Sequence, residues 1–226
     1  MCGRFTLASS IEEIIKQFQL GKYVEITKRY NIAPSQLIPV VRSADGGREL
    51  KMLKWGLVPS WAKKPEIGNR MINARAETVN EKPSFRAAFK KRRCIVPASG
   101  FYEWKRTKSG KQPYYIRMKD KKPLGIAGLW EIWEGPKEVI ESCTLITTGA
   151  NEIVGKLHDR MPVILSPNDY DKWLDSAVDP ESLKKLLRSF PSHDPSQEPS
   201  REMEAYEVSK EVNDPKNENI RLIEPL

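Results

Sequence analysis

The chain begins MCGRF, which places a cysteine at position 2, directly behind Met1. Aminopeptidases that remove Met1 act when the next residue is small, and cysteine meets that condition. Removal of Met1 leaves an α-amine and a thiol on adjacent carbons of one residue. The amine of such an aminothiol condenses with an aldehyde to an imine, and the thiol then closes a thiazolidine ring. The start of the chain therefore predicts aldehyde-trapping chemistry at Cys2.

The ordinary titration ranges of this terminus suit that chemistry. An α-amine has a pKa near ~7.7–8.0, so part of it is neutral at neutral pH. We expect surrounding positive charge to activate the Cys2 thiol, whose ordinary pKa is ~8.5. Gly3 would let the backbone approach a ligand closely, and Arg4 would hold a phosphate beside the reactive end. The alternative is a cysteine that only packs in the fold.

Glu103 and His158 are the candidate acid/base residues. Between positions 82 and 108 the chain has nine Lys or Arg residues and one acidic residue, Glu103. A carboxylate among cations should ionise easily, and proton transfer would explain its place on a basic surface. His158, which precedes an apolar run, titrates near neutrality. The alternatives are a structural salt bridge for Glu103 and a hydrogen-bonded histidine at a strand start.

Asn73, Arg75, Trp55 and Trp61 are candidates for contacts with a ligand or with the core. If INARAE is extended, Asn73 and Arg75 share one face. Asn73 would then orient an amine or a sugar hydroxyl, and Arg75 would bind a phosphate. We expect Trp55 to pack in the core and Trp61 to wedge between unpaired bases. The alternatives are a turn-forming asparagine, a surface arginine and two core tryptophans.

The net charge of +8 is unevenly distributed along the chain. Residues 191–226 contain nine acidic residues and four Lys or Arg residues, a net charge of −5, so residues 1–190 carry +13. Such a positive field attracts polyanions and favours nucleic-acid binding. The alternative is a basic surface that only maintains solubility.

Mostly short strands must position these residues. A helix is predicted over SSIEEIIKQFQL, where Ser10 and Glu13 form a capping box, and others over KPSFRAAFKK, SPNDYDKWL and DPESLKKLLRSF. Extended segments are predicted at QLIPVVRS, ELKMLKWGLV, CIVPASGFYEWKR, PYYIRMK, LGIAGLWEIW, ESCTLITT and MEAYEVS. The pattern predicts a single α+β domain over residues 1–226, with peripheral helices around a mixed, mostly antiparallel, barrel-like β-sheet. The Pro- and Ser-rich residues 191–201 are predicted to be an exposed loop.

The sequence also argues against several classes of protein. No apolar run is long enough to span a bilayer, and residues 1–20 lack a secretion signal, so a cytoplasmic protein without membrane contact is expected, associated with the nucleoid when bound to DNA. Cys2, Cys94 and Cys143 show neither disulfide nor metal-site spacing. No metal or cofactor is expected, and the chain is expected to be a monomer.

Taken together, these stretches resemble the SRAP family, the SOS response-associated peptidases also called abasic-site processing proteins. The resemblance runs through nearly the whole chain. It is carried by MCGRF, WGLVPSW, INARAET, ASGFYEW, HDRMP and VNDPKNENIRLIEPL, in that order.

The resemblance implies binding to single-stranded DNA that contains an abasic site, whose ring-opened sugar exposes an aldehyde. It makes Cys2 the nucleophile of a covalent thiazolidine DNA–protein crosslink that shields the lesion in the DNA damage response. It implies that Asn73 orients the cysteine or the sugar and that Glu103 manages protons. His158 would assist sugar-ring opening and crosslink reversal. The implied phosphate, sugar or base contacts are Arg4, Trp61, Arg75 and Arg160.

Further activities and rival functions are compatible with these residues. The family name implies self-removal of Met1, and an imine at C1′ would permit strand cleavage as a lyase. One rival is a thiol peptidase with Cys2 as nucleophile and His158 as base. The other is a non-catalytic single-strand binder in which Cys2 is dispensable.

Overall fold

The computed structural model describes residues 2–108, 110–191, 193–194 and 201–226. Its strands, in chain order, are β1 (Phe5–Leu7), β2 (Leu20–Lys22), β3 (Arg29–Ile32), β4 (Leu37–Ala44), β5 (Gly47–Trp55), β6 (Asn73–Arg75), β7 (Arg93–Ala98), β8 (Gly100–Thr107), β9 (Gly110–Met118), β10 (Leu124–Glu134), β11 (Val139–Gly149), β12 (Arg160–Pro162), β13 (Ile164–Leu165), β14 (His193–Asp194) and β15 (Arg201–Glu207). The α-helices are α1 (Ile11–Phe18), α2 (Arg86–Lys91), α3 (Tyr170–Leu174) and α4 (Pro180–Leu183). Short 3-10 turns cover Pro65–Arg70, Val154–Lys156, Pro167–Asp169, Lys184–Leu186, Lys210–Asn213 and Ile220–Ile223.

Helix α1 forms as its sequence predicts. The Glu13 backbone N–H donates to Ser10 Oγ at 3.3 Å, and the Ser10 backbone N–H donates to Glu13 Oε2 at 2.8 Å. Ile14 and Phe18 are buried, and Gln19 ends the helix in a left-handed conformation with φ 52°. No helix in the described part of the chain is long and apolar enough to cross a membrane.

A closed barrel of five strands forms the centre of the molecule, in the order β11-β10-β7-β4-β5. The barrel closes where β5 pairs with β11 in parallel, through Ser142 beside Lys54 and Cys143 beside Trp55. The other pairs around the ring are antiparallel. The α+β class and the mixed, mostly antiparallel barrel are therefore confirmed.

A second sheet, of six strands in the order β14-β15-β9-β8-β1-β3, lies beside the barrel. Strand β1 pairs antiparallel with β8, placing Phe5 opposite Phe101. Gly100 is required at the start of β8, because a Cβ there would lie 2.5 Å from the Tyr115 ring. The first strand of the chain is thus held between β3 and β8.

The run CIVPASGFYEWKR differs from its prediction as one extended segment. It forms two strands, β7 in the barrel and β8 in the second sheet. They separate at Ser99, whose Oγ accepts the backbone N–H groups of Ala8 and Ser9 at 2.8 and 3.0 Å. This transition carries the chain from the barrel to the strand that contains Glu103.

Within the predicted loop at 191–201, Ser192 and residues 195–200 lie outside the described residues. The backbone of β14 pairs antiparallel with the first residues of β15. The described part of this segment therefore includes paired strand residues as well as irregular chain.

Candidate active site

Cys2 lies immediately before β1, at the junction of the barrel and the six-stranded sheet. The Tyr102 backbone N–H donates to the Arg4 carbonyl at 3.0 Å, which continues the pairing of β1 with β8. Because the two strands are antiparallel, residues before Phe5 lie beside residues after Phe101. This register brings the start of the chain to Glu103. Cys2 is completely buried.

Asn73 reaches Cys2 from the barrel side. It begins β6, which pairs in parallel with β11. Its Nδ2 donates to the Cys2 carbonyl at 2.8 Å. Its Oδ1 is buried and has no hydrogen-bond partner among the described residues. Asn73 therefore holds the Cys2 backbone and keeps a buried acceptor beside it.

Arg75 lies two residues further along β6. Asn73 and Arg75 flank the buried Ala74, which agrees with the predicted alternation of an extended run. Asn73 is half-buried and Arg75 is exposed. Among the described residues, Arg75 forms no ion pair.

Glu103 is buried in β8, with 2% of its surface exposed. Burial raises the pKa of the Glu103 carboxyl above its ordinary value, and the positive charge of His158 opposes this rise. The expectation that Glu103 ionises easily is therefore wrong, because desolvation outweighs the nearby cations. The site has a carboxyl group that retains its proton to higher pH.

The Cys2 thiol also differs from its prediction. Burial, and after it the negative charge of Glu103, raises the pKa of Cys2 well above its ordinary range. The expected activation by positive charge is outweighed, because the thiol is enclosed and its strongest charged neighbour is an anion. Chemistry at this sulfur must begin from a neutral thiol.

His158 lies between the 3-10 turn Val154–Lys156 and β12. Its Nδ1 accepts the Arg160 backbone N–H at 3.0 Å and lies 2.7 Å from Asp159 Oδ1. The first contact requires an unprotonated Nδ1 and the second a protonated one. Because the Asp159 side chain is 84% exposed, water screens the second contact, and the bond from the Arg160 backbone is the contact that holds the ring.

An open cleft of about 850 Å³ connects Glu103 and His158. Its remaining lining residues are Trp104, Lys105, Arg106, Lys111, Lys156, Leu157, Asp159 and Asn213. The acid/base candidates thus line the same open cleft. A ligand in this cleft would lie between them.

Arg4 and Arg160 bind other parts of the protein. Arg4 Nη1 donates to Asn31 Oδ1 at 2.6 Å and to the Val212 carbonyl at 2.7 Å. Arg160 makes a two-pronged ion pair with Glu77, at 2.6 and 2.9 Å. Both guanidinium groups therefore have structural partners, and their predicted DNA contacts stay predictions.

The two tryptophans occupy the predicted environments. Trp55 is fully buried, and its Nε1 donates to the Ile72 carbonyl at 2.9 Å. Trp61 is 58% exposed, and its Nε1 lies 3.4 Å from the Pro83 carbonyl. The core position of Trp55 and the surface position of Trp61 agree with the sequence analysis, while the wedge role stays a prediction.

Asn31 was missed in the sequence analysis. Beyond its bond to Arg4, it donates from Nδ2 to the carbonyls of Val212, Asp214 and Asn217 at 3.3, 2.9 and 2.8 Å. It fastens the segment after β15 to β3 and, through Arg4, to the first strand. The runs RYNIAP and VNDPKN contain these residues, but only the fold brings them together.

Among the described residues, no three His, Cys, Asp or Glu side chains are grouped to hold a metal ion. Met1 lies outside the described residues.

Comparison with known proteins gives consistent matches. The family model of SOS response associated peptidase (SRAP) matches residues 1–215. The abasic site processing protein YoqW of Bacillus subtilis (strain 168) is 45% identical over 99% of both chains. The abasic site processing protein YedK of Escherichia coli (strain K12) is 27% identical over 100% of both chains. A crystal structure of a Bacteroides thetaiotaomicron protein superposes with a TM-score of 0.87, at 27% identity and with complete coverage of both chains.

Proposed function

Because the chain belongs to the SOS response associated peptidase (SRAP) family, we propose that it processes abasic sites in single-stranded DNA. Cys2 traps the sugar aldehyde as a thiazolidine, and the covalent protein shields the lesion. The names of the relatives suggest the abasic substrate. The observation that carries the chemistry is the convergence on Cys2 of Asn73, at 2.8 Å, and of the buried Glu103.

The first step is removal of Met1. Hydrolysis of the Met1–Cys2 peptide bond consumes one water, releases methionine and leaves the Cys2 α-amine. The buried Oδ1 of Asn73 is a suitable acceptor for an N–H of that amine. We propose that the protein performs this cleavage itself, as the family description suggests.

Imine formation follows when the neutral amine attacks C1′ of the aldehyde. The resulting carbinolamine loses its hydroxyl as water once that oxygen gains a proton. Glu103 is the proposed donor, since burial raises the pKa of its carboxyl and keeps the acid available. The products are a protonated imine, one water and the Glu103 carboxylate.

Ring closure uses the neutral Cys2 thiol. Sulfur attacks the imine carbon and forms the C–S bond, while the thiol proton passes to the Glu103 carboxylate. The raised pKa of the thiol is no obstacle, because a base receives its proton as the bond forms. Glu103 ends protonated, and the sequence converts aldehyde and aminothiol into thiazolidine and water.

His158 has the proposed role of opening the closed sugar. That step moves a proton from the C1′ hydroxyl to the ring oxygen, and a neutral imidazole relays protons near neutral pH. His158 lines the same cleft as Glu103. The same relay operating backwards would assist reversal of the crosslink.

DNA contacts are proposed for Arg75 and Trp61, which are exposed. They are also proposed for Arg4, which directly precedes β1, and for Arg160, which begins β12. Arginine binds phosphate, and an exposed indole stacks on or wedges between unpaired bases. One copy of the chain suffices for this scheme, and no cofactor enters it.

The test is adduct formation on a single-stranded oligonucleotide with one abasic site. Intact mass first establishes that Met1 is absent. The expected product resists denaturation and has the summed mass of protein and oligonucleotide minus one water. A tetrahydrofuran analogue, which has no aldehyde, is the matched control. No adduct, or an undiminished adduct with C2A, would overturn the proposal. Strand cleavage without an adduct would indicate a lyase, peptide hydrolysis a thiol peptidase, and salt-sensitive binding alone a non-catalytic binder.

A further inference from the structure

The cleft at Glu103 and His158 continues outward between two basic walls. Lys105, Arg106 and Lys111 line one wall, on the β8–β9 hairpin, and Lys156 lines the other, on the turn before His158. All four side chains are exposed. The acidic lining residues are Glu103, which is buried, and Asp159, beside His158. The outer cleft is therefore cationic on both sides.

These four cations have no ion pair or hydrogen bond through their side chains within the described chain. The opposite end of β9 differs. Arg117, in β9, bonds to Glu204 at 2.8 Å, and Lys119, directly after the strand, bonds to Glu202 at 2.5 Å. Acidic residues of β15 thus neutralise one end of β9 and leave the cleft end positive.

The register of the hairpin places cations directly opposite each other. Arg106 pairs with Lys111 across β8 and β9. Lys105 precedes Arg106 and projects from the other face of β8. Like charges at opposing positions of antiparallel strands destabilise the pairing. An anion that binds between them relieves the repulsion, which favours a phosphate over a neutral ligand.

Trp104 adds an aromatic surface to the same cleft. Its Nε1 donates to Asn213 Oδ1 at 2.7 Å, which fixes the half-buried ring. Cations that follow a backbone, combined with a fixed aromatic ring, are typical of a single-strand binding surface. The combination points to a nucleic-acid strand rather than to an isolated phosphate ion.

We propose that the β8–β9 hairpin and Lys156 bind the phosphates of the DNA strand on one side of the abasic nucleotide. The inference rests on the proposed function and deepens it, because it assigns one flank of the substrate to this cleft. DNA binding should therefore differ between the two sides of the abasic nucleotide. An oligonucleotide that lacks the flank bound by the hairpin binds weakly, and one that lacks the opposite flank keeps its contact with the hairpin.

The test compares two oligonucleotides with the tetrahydrofuran analogue near the 5′ end or near the 3′ end. The variant K105E/K111E reverses two charges of the cleft. K137E/K185E changes net charge equally at two exposed positions outside it. Fluorescence anisotropy should show that K105E/K111E binds one of the two oligonucleotides about tenfold more weakly than the wild type does. On the other oligonucleotide, its affinity loss should not exceed that of K137E/K185E. With K105Q/K111Q, the slope of log K against log salt should fall by about 1.4, at ~0.7 per lost single-strand phosphate contact.

Equal losses on both oligonucleotides, or no loss beyond the control, would overturn the inference. If charge reversal unfolds the hairpin, seen as a lower melting temperature, the glutamine pair decides the outcome. The analogue forms no crosslink, so this binding test is independent of Cys2 chemistry. Asymmetric binding without crosslinking of true abasic DNA would refute the covalent proposal alone, and crosslinking with symmetric losses would refute this inference alone.

Discussion

Cys2 and Cys94 are both completely buried, and burial raises the pKa of both thiols. Their surroundings differ. Cys94 lies in the barrel strand β7, and its sulfur would be 3.1 Å from a Cβ built on Gly128. Cys2 lies outside the barrel, with Asn73 bonded to its carbonyl and Glu103 as its strongest charged neighbour.

The same contrast holds for two buried carboxylates. Glu131, in the barrel strand β10, is 6% exposed and makes an ion pair with Arg92 at 2.5 Å. Glu103 is 2% exposed, lines an open cleft and has a raised pKa. Burial alone therefore does not distinguish the proposed catalytic residues from structural ones in this fold. The proposed site differs in the open cleft at Glu103 and in the buried Asn73 Oδ1, which has no hydrogen-bond partner among the described residues.

The largest effect is expected for C2A compared with C94A. Without the Cys2 thiol, the imine cannot close to a thiazolidine, so the denaturant-stable adduct should disappear. C94A should retain the adduct and lose about 0.5–3 kcal/mol of unfolding free energy, as core substitutions do. Denaturing gels and chemical unfolding measure the two outcomes. Adduct loss in C94A, at a temperature where that variant is folded, would break the comparison.

The next effect is expected for E103Q compared with E131Q. Loss of a general acid costs about 10²–10⁴-fold in rate, so E103Q should crosslink at least a hundredfold more slowly at saturating DNA. E131Q breaks the pair with Arg92 and should lower stability while the crosslinking rate persists. Similar rates for E103Q and the wild type would remove Glu103 from the mechanism.

The stability difference between E103Q and the wild type should depend on pH. The pKa of Glu103 is raised in the folded protein, so the folded state binds the proton more tightly than the unfolded state. Stability then falls as pH rises from the ordinary glutamate range through the folded pKa. E103Q should therefore gain melting temperature over the wild type at pH 8, and the gain should shrink toward pH 4. A gain that grows on acidification would contradict the burial argument.

Local signals predicted much of this structure. The capping box of Ser10 and Glu13, the extended runs of the barrel and the surface position of Trp61 follow from neighbouring residues. The parallel pair of β5 with β11 does not, since it joins Lys54 to Ser142 across the chain. The division of CIVPASGFYEWKR between two sheets also depends on pairing with distant strands, so neighbouring residues did not predict it.

The electrostatics of the site could not be predicted from the sequence. The nine Lys or Arg residues between positions 82 and 108 predicted that the Glu103 carboxyl ionises easily. In the fold, that side chain is buried and several of the cations are exposed. Desolvation depends on which segments enclose a group, and the residues before β1 reach Glu103 only after β1 pairs with β8. Sequence patterns identified the residue but could not give the sign of its pKa shift.

A smaller effect is expected for W61A compared with W55A. Stacking contributes about 1–3 kcal/mol per base, so W61A should weaken noncovalent DNA binding about tenfold with an unchanged melting temperature. W55A removes a fully buried ring and should cost about 3–5 kcal/mol of stability. Anisotropy and thermal unfolding separate the outcomes. Unaltered DNA affinity in W61A would leave the exposed indole without a binding role.

The smallest effect is expected for N73A compared with N151A. Asn151 uses both ends of its amide: Nδ2 donates to the Phe190 carbonyl at 2.9 Å, and Oδ1 accepts the Val154 N–H at 2.9 Å. Asn73 keeps Oδ1 buried and without a partner in the described chain, which suits positioning of the Cys2 amine. One hydrogen bond contributes about 1 kcal/mol, so N73A should slow crosslinking about fivefold at saturating DNA. N151A should lower stability and leave that rate unchanged. Equal rate losses in both variants would mean that Asn73 acts only through the fold.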